Sequence, residues 1–344
     1  MIDGQKSGHD ETQKRYRKRT KLSVDNYVQG VLNRDRVILA RTVTLVESNS
    51  KSHNMLAQQA LQKLLPHTGN SIRLGITGVP GVGKSSFIER LGYDLCEQGH
   101  RVAVLAIDPS SSVTRGSILG DKTRMTKLAR HPNAFIRPSP TGGALGGVTR
   151  KSRETIWVCE AAGFDVILVE TVGVGQSEIT VRSMVDFFLL LMLSGSGDEL
   201  QGIKKGVIEL ADALVINKAD GDNKIKAEAA KNEYNRALHY LQPVTEGWSA
   251  SAYTCSALTG EGISEIWRII QKFNERTTDS GVFGRRRRSQ LIDWTRSMIK
   301  EHLQERFFNH PEIVRIRPKI ENAVVQGEMP ATTAVKKLLD AYEK

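Results

Sequence analysis

Hydrophobic positions along the chain fall into two regimes. Before residue 70 they recur every three or four positions. In "NRDRVILARTVTLVES" (33–48), Val37, Ile38, Ala40, Val43, Leu45 and Val46 lie at helical spacing, with Asn33 as the expected N-cap. "MLAQQALQKLLPH" (55–67) is a second helical stretch, stopped by Pro66. From residue 71, short Val/Ile/Leu runs alternate with amphipathic stretches. Strands are predicted at 71–77, 101–108, 134–138, 164–171, 187–193, 211–218 and 253–257. Helices are predicted between or after them at 84–98, 121–130, 149–162, 223–241 and 262–273. Apolar runs without polar alternation mark strands buried on both faces. The fold class is therefore α/β, a mostly parallel sheet flanked by helices. "FFLLLML" (187–193) is such a strand; a membrane span needs about 20 residues.

After residue 275 the pattern changes again. "TTDSGVFGRRRR" has the composition of a linker. A helix is predicted over 289–308, and a last one follows Pro330. Both have apolar faces with no evident place on the sheet. The expected organisation is a disordered tail at 1–24, a helical subdomain at 25–68, a nucleotide-binding α/β domain at 69–275 and a helical arm at 276–344.

Composition alters this little. With 39% hydrophobic and 25% charged residues, the chain is that of an ordinary globular protein. A net charge of +11 and a pI near 9.5 point toward nucleic acid, anionic membrane or phosphate ligands. The excess is concentrated in Lys14, Arg15, Arg17, Lys18, Arg19 and Lys21, and in Arg285 to Arg288. Both blocks lie outside the expected core, so solvated surface is the expectation for each. Cys96, Cys159 and Cys255 fit no metal spacing and suit a reducing compartment. The polar N-terminus lacks an apolar leader, and Asp3, Asp10 and Glu11 argue against a mitochondrial presequence.

The chemistry starts at 78–85. Gly78, Val79, Pro80, Gly81, Val82, Gly83, Lys84 and Ser85 match G-x-x-x-x-G-K-[ST] between a predicted strand and a predicted helix. Glycines there let backbone N–H groups converge on phosphate oxygens, and the helix N-terminus adds partial positive charge. Lys84 reaches the β- and γ-phosphates, and the Ser85 hydroxyl is a Mg²⁺ ligand, with Ser86 beside it. "NKAD" (217–220) follows a strand. Asp220 is placed to accept two hydrogen bonds from guanine N1–H and the exocyclic amine. Asn217 is expected to hold the loop and meet N7, and the Lys218 stem to lie over the base. "CSALTGEG" (255–262) completes the pocket at Ser256, Ala257 and Leu258, with backbone N–H groups of Ser256-Ala257 toward guanine O6. The combination predicts GTP and GDP with Mg²⁺.

"VETVGVGQSE" (169–178) ends a strand where a metal-linked acid and a γ-phosphate-sensing glycine belong; these are Glu170 and Gly173. Val174 follows, with Gln176 further on, so the water-orienting glutamine of many GTPases is not in its usual place and unassisted hydrolysis is expected to be slow. Asp108 and Asp121 are each either a helix or turn cap or a metal group; two acids beside a magnesium–phosphate site favour the second.

"GVPGVGKSS", "LAIDPSSSVTRGSILGDKTRM", "FIRPSPTGGALGGVTR", "ILVETVGVGQSE", "GSGDELQGIKKGVIELAD" and "INKADGDN" together resemble the methylmalonyl-CoA mutase-associated GTPases, MeaB or ArgK, from residue 30 to the C-terminus. The resemblance implies a dimeric P-loop metallochaperone that protects adenosylcobalamin-dependent acyl-CoA mutases and gates cofactor delivery from an adenosyltransferase, without itself binding B12. It assigns Lys84 and Ser85 to phosphate and magnesium. It places Asp108 and Asp121 in one switch and Glu170 to Gln176 in a second, with Lys84, Asp121, Glu170 and Gly173 as the catalytic set. Gly197 to Lys205 corresponds to a third switch, in which Asp198, Glu199 and Lys204 couple to the client. The terminal helices resemble a homodimerisation arm. The implied compartment is the cytoplasm, or the mitochondrial matrix in a eukaryote. Neither a membrane nor nucleic acid is an expected partner. Two other readings are a nucleic-acid-associated GTPase, from the basic blocks, and a small-molecule kinase, from the older ArgK name. The first lacks aromatic residues interleaved with its basic run; the second lacks a visible second substrate site.

Overall fold

The computed structural model describes residues 22–107, 125–138, 145–171, 177–195 and 205–343. Three helices come first: α1 (Val24–Leu32), α2 (Arg36–Val46) and α3 (Lys51–Leu64). Ser23 and Asn26 form a reciprocal capping box on α1. Asn33, expected to open the next helix, instead closes α1. The cap of α2 is Asp35, whose carboxylate accepts from the N–H groups of Val37 (2.8 Å) and Ile38 (3.0 Å). The helical spacing spans this junction, and periodicity alone does not show it.

A seven-stranded sheet follows: β1 (Ile72–Gly78), β2 (Val102–Ile107), β3 (Ala134–Arg137), β4 (Val166–Thr171), β5 (Phe187–Leu193), β6 (Ala213–Asn217) and β7 (Ala252–Thr254). These occupy the seven predicted positions. Every pairing is parallel, in the order β3-β2-β4-β1-β5-β6-β7. The crossovers carry α4 (Lys84–Glu97), α5 (Thr126–Arg130), α6 (Leu145–Ala161), α7 (Ser177–Arg182), α8 (Lys205–Glu209) and α9 (Lys224–His239) in turn; α10 (Ile263–Asp279) follows β7. One sheet face buries Leu74, Val104, Leu168 and Leu189 against Phe87 and Leu91 of α4 and Ile266 and Ile270 of α10. On the other, Ala103, Leu105, Ile167 and Val169 share a core with α6 and with Val43 and Leu61 of the N-terminal helices. Burial on both faces is why the strands show no polar alternation. β1 pairs with β4 on one side and β5 on the other, and this places the turn after β1 at the crevice where open α/β sheets bind ligands.

The stretch expected to be a linker is helical. α10 continues to Asp279, and α11 (Val282–Phe308) contains all four consecutive arginines; α12 (Pro311–Val325) and α13 (Ala331–Tyr342) complete the arm. Arg286 and Arg287 are not solvated, each side chain being 14% exposed. Arg287 donates to the Asp186 carboxylate (2.6 and 2.8 Å) and to the carbonyls of Gly69 and Ser71 (2.6 Å each). Arg286 donates to the Asp186 carbonyl and the Thr245 hydroxyl, with Asp212 nearby. Asp186 and Asp212 are buried at the N-terminal ends of β5 and β6. The block therefore fastens the root of α11 under the sheet; only Arg285 and Arg288 match the solvated expectation. α12 has no counterpart in the predicted elements, because Pro311 opens it and Pro318 lies inside it. Among the described residues no helix is long and apolar enough to cross a membrane.

Candidate nucleotide site

The turn after β1 delivers Lys84 and Ser85 to the first positions of α4. Gly83 has φ +94, and a Cβ on it would stand 2.7 Å from the Asn217 side-chain nitrogen, so the close approach of the two loops requires glycine there. The Lys84 ammonium donates to the carbonyls of Gly78 (2.7 Å) and Val79 (3.3 Å). Burial holds its pKa below the usual lysine range, and the charges of Glu170 and Glu178 act against that shift. Glu178, in the first turn of α7, is buried and was not among the expected site residues. Its only signal in the sequence is its place just after the loop at 172–176.

Glu170 sits near the carboxyl end of β4, 4% exposed, and accepts from the Ser85 hydroxyl at 3.1 Å. A hydroxyl and a carboxylate meeting beside a phosphate loop are hard oxygen donors, the set that suits Mg²⁺. Among the described residues no cluster of three or more His, Cys, Asp or Glu side chains is arranged to hold a metal. Asp108, Asp121, Gly173, Val174, Gln176, Asp198, Glu199 and Lys204 lie outside the described residues.

Asn217 ties three loops together. It is 1% exposed; its Nδ2 donates to the Val82 carbonyl (2.8 Å), and its Oδ1 accepts from the Ala257 N–H (3.1 Å) and the Cys255 thiol (3.5 Å). Burial pushes the Cys255 thiol up to about 12, so it remains a donor. The N–H groups of Ser256 and Ala257, expected toward guanine O6, both have acceptors within the protein. Ser256 N–H is engaged by the Glu261 carbonyl (2.9 Å) and Ala257 N–H by Asn217. The loop closes on itself and on Asn217, which leaves Leu258 as the next backbone donor along it. Lys218 takes the left-handed backbone (φ 60), and Asp220 is half-buried without a side-chain capping bond.

Gly83, Ser86, Lys218, Asp220, Ala257 and Leu258 line one end of a cavity of about 1010 Å³ that continues along α4 to Tyr93 and His131. Arg90, held by Asp94 (2.9 Å), fills the space over Gly260 and braces the base loop from α4. It too was missed, since only the folded chain brings α4 against residue 260.

A family model described as methylmalonyl Co-A mutase-associated GTPase MeaB matches residues 39–312. The chain belongs to the MeaB family. A probable GTPase of Mycobacterium tuberculosis is 51% identical over 318 residues, covering 92% of this chain and 95% of the relative. GTPase ArgK of Escherichia coli is 47% identical, covering 88% and 92%. The mitochondrial methylmalonic aciduria type A homolog of Mus musculus is 45% identical, covering 93% and 80%. The crystal structure of a LAO/AO transport system kinase matches with a TM-score of 0.76 at 38% identity, over 93% of this chain and 98% of that one. As a MeaB-family P-loop protein, the chain is a GTP hydrolase.

Proposed function

We propose that this MeaB-family GTPase is a chaperone of an adenosylcobalamin-dependent acyl-CoA mutase, and that GTP binding and hydrolysis gate the loading of that mutase with its cofactor. The family description, which names methylmalonyl Co-A mutase, supports that client class. The observation that supports the reading is the junction at Asn217, whose side chain joins the phosphate loop, the Asp220 loop and the 255–258 loop. In this reading Lys84 neutralises the β- and γ-phosphates, Ser85 and Glu170 hold Mg²⁺, and Asp220 reads guanine while Leu258 donates to O6. Bound Mg²⁺ supplies charge neutralisation at the phosphates. Asp108, Asp121 and Gly173 complete the metal and γ-phosphate contacts. Asp198, Glu199 and Lys204 couple the site to the mutase, and an adenosyltransferase supplies the cofactor, which this chain does not itself hold.

The arm is proposed to join two copies of the chain in the cytoplasm or mitochondrial matrix; exposed Ile299, Leu303, Val314 and Leu339 support that. The inward course of Arg286 and Arg287 disfavours the nucleic-acid reading, because half of that block is spent on the chain's own carboxylates and carbonyls. The test is the GTP hydrolysis rate of wild type and Lys204→Ala, each with and without the cognate mutase. The expected result is slow basal turnover in both and stimulation by the mutase in wild type alone. Equal stimulation of both proteins removes the coupling role of Lys204, and no stimulation of either removes the chaperone reading.

A further inference from the structure

The N-terminal edge of the sheet, opposite the nucleotide site, carries a cavity of about 530 Å³ between the N-terminal helices and the turn that leads into β4. Its walls include Leu32, Pro66 and Phe164, and its polar lining holds Arg34 together with the carboxylates Glu160 and Asp165. Three arginines approach this corner, and they are not equivalent. Arg36 is turned away, donating to the carbonyls of His131, Pro132 and Ala134. Arg34 has no acceptor for its side chain among the described residues, although its backbone is held in the left-handed region at φ 64. Arg101 lies over the Phe164 ring at 4.9 Å, and its Nη1 is buried with no hydrogen-bond partner. Both guanidiniums stand 3.4 Å from the point where a Gly163 Cβ would be, so they converge on this residue.

The nearby acids are already committed. Asp165 accepts from His100 (2.7 Å) and from the Arg101 backbone N–H (2.7 Å). Glu160 accepts from Arg73 (2.8 and 2.9 Å), Ser71 and the Gly69 N–H. Burial lowers the Arg101 pKa, and the Arg34 charge lowers it further, while the Asp165 charge acts against both. A buried unpaired donor, two like charges and a left-handed non-glycine backbone are each unfavourable. One corner holds all three. A cation–π resting place explains Arg101 over Phe164, but neither the orphan Nη1 nor the Arg34 backbone.

We propose that Arg34 and Arg101 form an oxyanion site over Gly163, which takes the phosphate or carboxylate group of a small molecule whose apolar part lies against Leu32 and Pro66. Planar guanidinium forks suit such groups, and an oxyanion between them would offset the repulsion and give the donors acceptors. Occupancy would also tie the α1–α2 turn to the start of β4.

The test uses the full chain saturated with GDP, so that the phosphate loop contributes equally to every sample. Thermal unfolding is followed against inorganic phosphate and, separately, acetate, with ionic strength matched by sodium chloride. The variant is Arg34→Gly, at an exposed position where glycine accepts the same backbone. The expected result is that wild type melts higher with added phosphate. Arg34→Gly should melt higher than wild type without it, and should bind phosphate at least about tenfold more weakly. A response to acetate as well assigns oxyanions in general; a response to phosphate alone assigns phosphoryl groups. Indistinguishable titrations of wild type and Arg34→Gly, or no response in wild type, overturn the proposal.

Discussion

Gln290 donates its side-chain amide to the main-chain carbonyl of Val185 at 2.9 Å, joining the root of α11 to the turn between α7 and β5. The same amide reaches the Arg182 carbonyl at 3.4 Å. Arg153 of α6, beneath Trp294 of α11, holds the Ser183 carbonyl in the same turn. One short helix, α7, thus separates the loop that follows Glu170 from the foot of the arm. Any displacement of α7 that accompanies the nucleotide cycle bears directly on the arm.

The anchoring of that arm gives a sharp contrast within one run of arginines. Arg287→Ala leaves the Asp186 carboxylate buried without its guanidinium, a change that costs about 3–5 kcal/mol. Arg288 is exposed, and Arg288→Ala should stay within about 0.5 kcal/mol of wild type. Chemical denaturation of the two variants under identical conditions checks this. Equal small effects would mean that the Asp186 pairing contributes nothing to stability.

The arginine block also shows where sequence reading stops. The sheet was legible because each strand is a short apolar run bounded by polar residues, and fully buried strands in a parallel sheet have no other pattern. The phosphate loop and "NKAD" were legible because their spacing is local. The partner of Arg287 lies 101 residues away, so a glycine-flanked basic run had the look of a linker. The contact of the Ala257 N–H with Asn217 likewise joins positions 40 residues apart, and local spacing carries no sign of it. Glu178 and Arg90 needed the folded chain to meet Lys84 and Gly260.

Guanine selectivity is expected to reside in Asp220. Asp220→Asn exchanges one acceptor for a donor, so it should weaken GTP by about 1.5–3 kcal/mol and favour xanthine nucleotides. Competition binding with GTP, ATP and xanthosine triphosphate measures it. Wild-type protein that binds ATP and GTP equally would contradict the assignment.

Glu170→Gln retains the size of the side chain and an oxygen for the Ser85 hydroxyl, but removes a charge at a buried position beside it. The variant should fold and should need at least about tenfold more Mg²⁺ for half-maximal hydrolysis, since hard cations favour carboxylate over amide oxygen. A magnesium titration at saturating GTP is the measurement. A superimposable curve would place the metal on other groups.

Lys84 carries the most informative prediction, because function and stability should move in opposite directions. Its ammonium is half-buried, and that burial lowers its pKa despite Glu170 and Glu178. The folded protein therefore binds this proton less tightly than the unfolded chain does, and the charge opposes folding at neutral pH. That opposition fades as pH rises from the lowered pKa toward 10.5, where the unfolded lysine also loses its proton. Lys84→Met retains the stem and removes the charge. Without nucleotide the variant should melt no lower than wild type at pH 7, and any advantage should shrink as pH approaches 10.5. Its hydrolysis should be abolished, and GTP should raise its melting temperature less than it raises that of wild type, because ligand stabilisation follows affinity. Calorimetric scans of both proteins from pH 7 to pH 10.5, with and without GTP, decide the matter. A variant that is less stable at every pH would show that the bonds to the Gly78 and Val79 carbonyls outweigh the cost of burying the charge.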